Sequence, residues 1–453
     1  MPIEHPPTLF PTNEVLSDTR MRADSLPNEI WIMIFTCMGS DLAPVYLLIS
    51  KRLLRVARLA LYKTIRYTRA SPITGNLAFW KTPCGASLKF TPERVIIGSK
   101  SHWHDVFPFV AGTVATFPNI RELSLIDQRI YVEDMFRVTN CKDRLASIEL
   151  HNVSFVRADV YKFKQWPSGN YSLGFTRSTR LKLISVTWNS TVDPEALLPK
   201  ALLSSQVEAL QIDLFTFLSL RTSLTDGMLV PSCRLHAFHL MTVGLFEISF
   251  SKRYWSYLRD FLQLSSKTLV SLNLDNGSGY CPGSIQWTFP NLSCYDGPQE
   301  LLPLLRSSRN LTSLHLHACV STPPFLEGIA IWPNVRMFEF TCWDTNMVSL
   351  ANLLKALPNV QVFRLVPTKY VTKEQWRQLN DVLRVHLPLI RELSVIDHFG
   401  IGKALFVGAL DVEEWWGSFR NLATVRLGEK FEWKRNIEDG LWAVLSEPET
   451  VRS

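Results

Sequence analysis

The chain has 453 residues, 46% of them hydrophobic, and a formal net charge of +7. This length and hydrophobic content supply ample material for a continuous core. The mild positive charge argues against nucleic acid as the main ligand, and no apolar run approaches the ~20 residues that a membrane span needs.

Eight cysteines are scattered along the chain without a Cys-x-x-Cys pair. This spacing argues against a zinc or redox motif and predicts a reducing compartment, cytoplasmic and/or nuclear. The N-terminus has no apolar segment after a basic start, so we interpret the six Asn-x-Ser/Thr sequons as chance.

The N-terminal part of the chain predicts a flexible, proline-rich tail at residues 1–22, followed by helices. Pro27 suits the first turn of a helix, and Ile30 and Ile34 then fall on one helical face. Two more helical patterns follow, so residues 23–67 are predicted to form three short helices. A unit of this size is too small for a large core of its own, which predicts that a partner completes it.

Several spaced elements of this segment form a recognisable pattern. They are Leu26-Pro27-x-Glu29-Ile30, Ile34-Phe35, Asp41-Leu42, Leu47-Leu48-Ile49-Ser50-Lys51-Arg52 and Ala60-Leu61-Tyr62. The pattern resembles an F-box, although Leu53 stands where that family often has Phe or Trp. The resemblance implies binding to the small Skp-type adaptor of a cullin-RING ubiquitin ligase. The adaptor contacts that it implies are Leu26, Pro27, Ile30, Ile34, Phe35, Leu47, Leu48, Ser50 and Lys51. The alternative is that these residues form a private three-helix core.

A basic stretch overlaps the end of this segment. Between Leu42 and Pro92 the chain has no acidic residue and nine basic ones. Lys51, Arg55 and Arg58 share one helical face. Skp-type adaptors are acidic, so the resemblance implies that this basic edge speeds their encounter with the chain. A solvated face and a nucleic-acid contact are the alternatives.

A short phrase, apolar-x-x-apolar-x-apolar after a polar or small residue, occurs twelve times between residues 119 and 427. The copies begin at Ile120, Leu145, Leu181, Val207, Leu235, Leu269, Leu292, Leu311, Val335, Val360, Ile390 and Leu422. The copy Leu292-Tyr295-Gly297 breaks the pattern. A helix fits the first half of the phrase, but its closing two-residue step and the recurrence of Thr, Val, Phe and Tyr favour strands. Because side chains alternate faces in a strand, the fourth and sixth positions are predicted to point inward and the third, fifth and seventh outward.

The repeats resemble leucine-rich repeats in an irregular version. The Asn or Cys that the family places after the last Leu survives as Asn189 and Cys319, and most other copies lack it. The resemblance implies an α/β solenoid at residues 68–453, with a curved parallel sheet and helical or irregular return segments. An F-box followed by such repeats is typical of fungal F-box proteins with leucine-rich repeats, whose repeats select the protein to be ubiquitinated.

The outward strand positions predict where a target protein binds. Their polar residues are Glu122, Ser124, Glu149, His151, Gln211, Asp213, His239, Asn273, Asp275, His315, His317, Glu339, Arg364, Glu392 and Arg426. The earlier copies are mainly acidic, so we expect a target that presents a basic segment to Glu122, Glu149 and Asp213. Further target contacts are expected at Asp275, His315, Glu339 and Arg364. The alternative is that these are solvated strand residues and that binding uses edges or loops.

Patterns that would indicate chemistry are few. His102 and His104 form a His-x-His, as do His315 and His317, but two ligands do not make a metal site. Glycines at 277–279 and 400–402 lack the rest of a phosphate-binding loop. We expect no catalysis, no cofactor and no metal in this chain. The resemblance therefore implies a substrate-recognition subunit of an SCF-type (Skp/cullin/F-box) ubiquitin ligase, and a scaffold that binds the adaptor without delivering substrates is the alternative.

Overall fold

The computed structural model describes the stacked strands and many of the segments that connect them. The described residues are 27, 30–31, 33–34, 51–67, 77–98, 106–107, 110–131, 134–135, 138, 145–156, 179–187, 206–224, 234–241, 252–275, 288–318, 331–342, 347–367, 373–396, 416–427, 431–436 and 440–446. Within these ranges, every helix is too short or too polar to cross a membrane.

One sheet runs through the described part of the chain. Its strands are β1 Thr64–Tyr67, β2 Arg94–Gly98, β3 Val106–Phe107, β4 Glu122–Tyr131, β5 Ser147–Val156, β6 Arg180–Ile184, β7 Ala209–Asp213, β8 Ala237–Met241, β9 Ser271–Leu274, β10 Cys294–Pro298, β11 Ser313–Ala318, β12 Met337–Cys342, β13 Val362–Pro367, β14 Glu392–Val395, β15 Thr424–Leu427, β16 Phe431–Arg435 and β17 Trp442–Ser446. Successive strands from β1 to β15 pair in parallel, with one exception. Two strands pair with β4: β2 pairs with the N-terminal half of β4, and the short β3 pairs with its C-terminal half. The last two pairings, β15 with β16 and β16 with β17, are antiparallel.

Helices lie in several of the return segments. They are α1 Lys51–Tyr62, α2 Pro83–Leu88, α3 Val110–Thr116, α4 Leu214–Leu224, α5 Lys252–Leu264, a 3-10 helix Gln299–Leu305, α6 Met347–Lys355 and α7 Lys373–His386. In α7, Trp376, Leu379 and Leu383 are buried at helical spacing, while Arg377 and Arg384 lie on the exposed face in i,i+3 ion pairs. Helices α6 and α7 pack against each other, and their buried side chains belong to the same hydrophobic core as the inward strand residues.

The core consists of the inward strand positions, aligned from repeat to repeat. Leu314, Phe338 and Phe363 occupy the fourth position of the repeated phrase in β11, β12 and β13. They are direct cross-strand neighbours and are fully buried. The sixth position behaves in the same way. The predicted solenoid of the leucine-rich-repeat type is therefore confirmed, and the repeated phrase forms strands as expected.

One copy of the phrase has a different register from the predicted one. The sequence pattern starts it at Leu181, which would make Ile184 and Val186 the inward pair. In the sheet, Leu181 pairs with Ile148 and with Leu210, so Leu181 and Leu183 occupy the fourth and sixth positions. The predicted start of this copy is therefore wrong by three residues.

Two further copies precede the twelve found in the sequence. In β2, Val95 and Ile97 pair with the inward Leu123 and Leu125 of β4. In β1, Ile65 and Tyr67 pair in turn with β2. The sheet therefore begins at Thr64, inside the segment 23–67 that was assigned to helices.

In six of the described repeats an asparagine ladder joins the turn before the strand to the preceding repeat. The side-chain amide of Asn310 donates to the carbonyl of Pro290 at 2.7 Å, and that of Asn359 donates to the carbonyl of Pro333 at 2.8 Å. Asn119, Asn291, Asn334 and Asn421 make the same bond to the preceding repeat. Each Asn comes directly before the first apolar position of its phrase. Two sequon residues, Asn291 and Asn310, are among them, whereas the predicted turn residues Asn189 and Cys319 lie outside the described residues.

In the copy that breaks the pattern, a neighbouring side chain fills the core position that lacks a leucine. At Gly297 the sixth position lacks a side chain, and an added Cβ would lie 2.7 Å from the Tyr295 hydroxyl oxygen and 3.2 Å from the Leu274 carbonyl oxygen. The buried Tyr295 side chain thus fills the space of the missing leucine, and its hydroxyl donates to the Pro298 carbonyl at 2.9 Å.

The ends of the described sheet are closed by aromatic side chains. Near β1, the Trp80 ring lies 5.8 Å from Tyr62 and 5.0 Å from Phe117, each edge to face. At the other end, Trp433 and Trp442 are buried in the antiparallel strands. Reversing the strand direction ends the repeat and limits further strand addition.

We expect the substitution Gly297→Leu to lower the free energy of unfolding by about 1–3 kcal/mol, because its side chain and Tyr295 compete for one space. The double variant Tyr295→Leu/Gly297→Leu restores the common phrase and should recover much of this loss. Urea unfolding of the four proteins in this cycle measures the coupling. Independent, additive effects of the two substitutions would contradict this account.

Candidate functional site

The residues at the fifth position of the repeated phrase form one continuous line of side chains on the outward face. We call this line the central row. In sheet order it contains Arg66, Ile96, Ser124, Glu149, Lys182, Gln211, His239, Asn273, Asp296, His315, Glu339, Arg364, Ser394 and Arg426. Neighbouring strands are about 4.8 Å apart. Each residue of the row is therefore within reach of the next one, and several neighbours in the row form hydrogen bonds or ion pairs.

At the N-terminal end of the row, acidic residues are paired with basic ones. The Glu149 carboxylate lies 2.8 Å from Lys182 Nζ and 3.9 Å from the Arg94 guanidinium. Arg94 also lies 3.5 Å from Glu122. Burial opposes ionisation of Glu149, but the bonds from Lys182 and Ser124 and the charges of Lys182 and Arg94 outweigh it and lower the pKa of Glu149.

The prediction that this end is mainly acidic is wrong. The three-residue register error placed Lys182 and the exposed Arg180 off the outward positions, and the missed copy in β2 hid Arg94. With Arg94, Arg180 and Lys182 beside Glu122 and Glu149, the surface carries at least as much positive as negative charge. It does not favour a basic target segment.

Asp213 is also not a surface residue, contrary to expectation. Its side chain is 1% exposed and accepts bonds from the backbone N–H and the hydroxyl of Thr216, both at 2.8 Å, as well as from the backbone N–H of Ser185. It thereby ties the start of α4 to the end of β6. Ser124 is buried as well, 3% exposed, and bonds to Glu149. Both residues stabilise the fold. Asp213 is buried at the end of β7, and Ser124 is buried beside the larger side chain of Glu149.

A shallow groove of about 380 Å³ crosses the outward face from β5 to β9. Small residues at the third phrase position line the groove on one side: Ser147, Ala209, Ala237 and Ser271. Polar residues of the central row line it on the other: Lys182, Gln211, His239 and Asn273. Arg180 lies at its β6 end. Small residues leave room for a partner's side chains, and sequence analysis missed the groove because it considered only large polar residues.

Farther along the row, two histidines and a carboxylate converge. His315 and His317 project from the same face of β11, and Asp296 stands opposite His315 on β10. The Asp296 Oδ1 atom lies 2.9 Å from His315 Nδ1 and 2.7 Å from His317 Nε2. Asp296 was absent from the predicted outward residues, although it holds the fifth position of the copy that begins at Leu292.

Protonation in this cluster follows from these contacts. Burial opposes the charge of Asp296, but hydrogen bonds from His315 and His317 hold its pKa well below the usual range. Burial likewise opposes protonation of His315, but Asp296 and Glu339 outweigh it and raise the pKa of His315.

The other predicted target residues lie where expected, partly exposed and engaged with neighbours. Asp275 lies 3.1 Å from His239, and Glu339 lies 3.3 Å from His315 and 3.9 Å from Arg364. At the end of the row, Glu392 and Arg426 form an ion pair at 2.8 Å, whereas His151 is exposed. Target binding by these residues stays a prediction.

The predicted adaptor contacts are described only in part. Pro27 is exposed, Ile30 is 39% exposed, and Ile34 is half-buried in helical backbone. Lys51 is the first residue of α1. The tail 1–22 and the contacts Leu26, Phe35, Leu47, Leu48 and Ser50 lie outside the described residues, as do His102 and His104. Met33, which was not predicted as a contact, is 63% exposed.

Comparisons with known proteins identify no family. No family model matches the sequence, and no curated protein matches it significantly. Among solved structures, an internalin from Listeria monocytogenes is 12% identical, with a TM-score of 0.29, over 76% of this chain and 82% of its own. The TLR13–ssRNA13 complex is 13% identical, with a TM-score of 0.39, over 80% of this chain and 47% of the other. The solenoid assignment therefore depends on the register of the sheet itself.

Replacing Asp213 with Ala should lower the free energy of unfolding by about 3 kcal/mol, because it leaves buried donors without their acceptor. The matched control is Glu122→Ala, which removes a half-exposed ion pair and should cost less than about 1 kcal/mol. Denaturant unfolding followed by circular dichroism measures both. Equal, small effects would show that Asp213 is not a structural residue.

Proposed function

We propose that this chain is the substrate-recognition subunit of an SCF-type ubiquitin ligase. Its N-terminal helices would bind a Skp-type adaptor, and the outward face of its sheet would bind the target protein. The described residues provide separate support for the adaptor contact and for the target contact.

The observation that carries the adaptor end is an apolar surface on the first described helical turn. Ile30 is 39% exposed and Met33 is 63% exposed, and residues three apart lie on the same helical face. Pro27, just before them, is exposed too. Apolar side chains grouped at a surface in this way mark a site that a partner covers. They coincide with the elements that resemble an F-box.

Basic residues near this segment support an acidic adaptor. Arg58 on α1 and Arg66 on β1 are exposed, and the surrounding sequence from Leu42 to Pro92 has no acidic residue. Such a charge accelerates encounter with an acidic protein more than it strengthens the final complex.

For the target end, the groove is the best candidate. Its small, uncharged residues leave space for side chains of an extended segment, and Arg180 near one end favours an acidic residue in that segment. This revises the expected target from a basic to an acidic or neutral one.

The adaptor assignment is tested with Pro27→Ala/Ile30→Lys in the full chain, co-expressed with a Skp-type adaptor. Truncating and charging buried interface anchors costs about 2 kcal/mol or more, so recovery of the adaptor should fall about 30-fold. The control is Val385→Lys on α7, where the native valine is 67% exposed and lies in the repeat domain.

Adaptor recovery unaffected by the N-terminal substitutions would refute the proposal. If the adaptor binds but a reconstituted cullin-RING ligase transfers no ubiquitin to any co-purified protein, the chain is an interaction scaffold instead. Melting temperatures of all variants separate loss of binding from loss of folding.

A further inference from the structure

The cluster of Asp296, His315 and His317 brings together three side chains of types that bind metal ions. The two imidazoles and the carboxylate can bring one ligand atom each within 4.8 Å of one another. Two His nitrogens and a carboxylate oxygen form a ligand set that suits divalent transition metals, with zinc bound by three protein ligands and a fourth position left open.

The sheet places these ligands without any contribution from loops. His315 and His317 are two residues apart on β11 and therefore share a face, and Asp296 is the cross-strand neighbour of His315. Their side chains are 16% to 26% exposed, so an ion can reach them from solvent. A site built on paired strands is held more rigidly than one on a flexible loop.

The observed separations are close to those of a bound ion. Asp296 Oδ1 lies 2.9 Å from His315 Nδ1 and 2.7 Å from His317 Nε2, as hydrogen-bonded atoms do. Around zinc, with bonds of about 2.0–2.2 Å and tetrahedral angles, the same atoms would be about 3.3–3.5 Å apart. Small side-chain rotations supply this difference.

A second layer of polar groups orients the ligands. The other nitrogen of His315, Nε2, lies 3.1 Å from Thr341 Oγ1 and 3.3 Å from Glu339 Oε1. The other oxygen of Asp296 accepts a bond from the Asn273 amide at 2.8 Å. A carboxylate behind a ligating histidine fixes the tautomer and ring orientation and strengthens the ligand.

We propose that Asp296, His315 and His317 bind one divalent transition-metal ion of the zinc class on the outward face of the sheet. The open side of the site faces the surface where a partner would lie, so the remaining coordination position is available to water or to a partner's side chain. The ordinary hydrogen-bonded pair His239–Asp275, at 3.1 Å on the same face, has no third ligand among the described residues and provides the internal control.

The test uses the full-length protein, stripped of metal with a chelator and titrated with Zn²⁺ by calorimetry. We expect one equivalent to bind and to raise the melting temperature. Asp296→Asn and His317→Gln should weaken binding by more than the roughly 10- to 100-fold that loss of an outer partner costs. Glu339→Gln, which leaves all three ligands in place, should fall within that range, and His239→Gln should bind like the unaltered protein.

Co²⁺ in place of Zn²⁺ provides a spectroscopic check, because its visible absorption reports the coordination geometry and a thiolate ligand adds a distinct charge-transfer band. Cys294 carries a free thiol on the same strand as Asp296, so Cys294→Ser is included. Absence of a stoichiometric site, unchanged binding in Asp296→Asn and His317→Gln, or loss of binding in Cys294→Ser would each overturn the proposal. None of these measurements depends on an adaptor or a ubiquitin ligase.

Discussion

The unshifted parallel register between consecutive strands is the constraint on which the structure depends. From β4 to β15, the strand pairing aligns the same phrase positions of successive repeats, so that the inward residues of one strand lie beside those of the strand before it. A slip of one residue would turn the buried leucines outward, which makes the register strongly specified. The same register also decides which polar residues meet on the outward face, since it places Lys182 beside Glu149 and His315 beside Asp296. Core and surface are therefore fixed together.

Strand pairing, supported in six of the described repeats by the asparagine ladder, explains how irregular spacers coexist with a regular sheet. Each Asn amide bonds to a carbonyl of the preceding repeat just before the strand begins, as Asn421 does with Pro388 at 2.8 Å. The return segment can vary in length, because the position of the next strand is set by the strand pairing, both where this bond is present and where the chain has no Asn at that position. Loop length itself has a small effect on stability. The sequence repeats can thus drift in spacing while the strands stay aligned.

The sequence predicted the stacked strands because the alternation of buried and exposed residues is local. It failed where the pattern allowed two phases: Leu181, Leu183, Ile184 and Val186 provide inward residues in either register, and only the neighbouring strands decide. It also failed at Asp213, whose burial results from the contact between α4 and β6 rather than from strand alternation. The Asp296 cluster was within reach of sequence reasoning, since Asp296 and His315 hold the same position in successive copies.

The outward face divides into regions that differ in what they offer a partner. Around Glu149 in the central row and around Glu392 beside it, oppositely charged neighbours are already paired, and a partner that engages them must first compete with those pairs. In the groove, the third phrase positions of β5, β7, β8 and β9 are Ser or Ala, and these small side chains carry no charge pair that must be broken. A partner can add contacts there at little desolvation cost, with Arg180 as a charged contact at the β6 end. For the partner that we propose, this charge pairing favours the small-residue groove beside the row, next to the histidine cluster, as the binding surface.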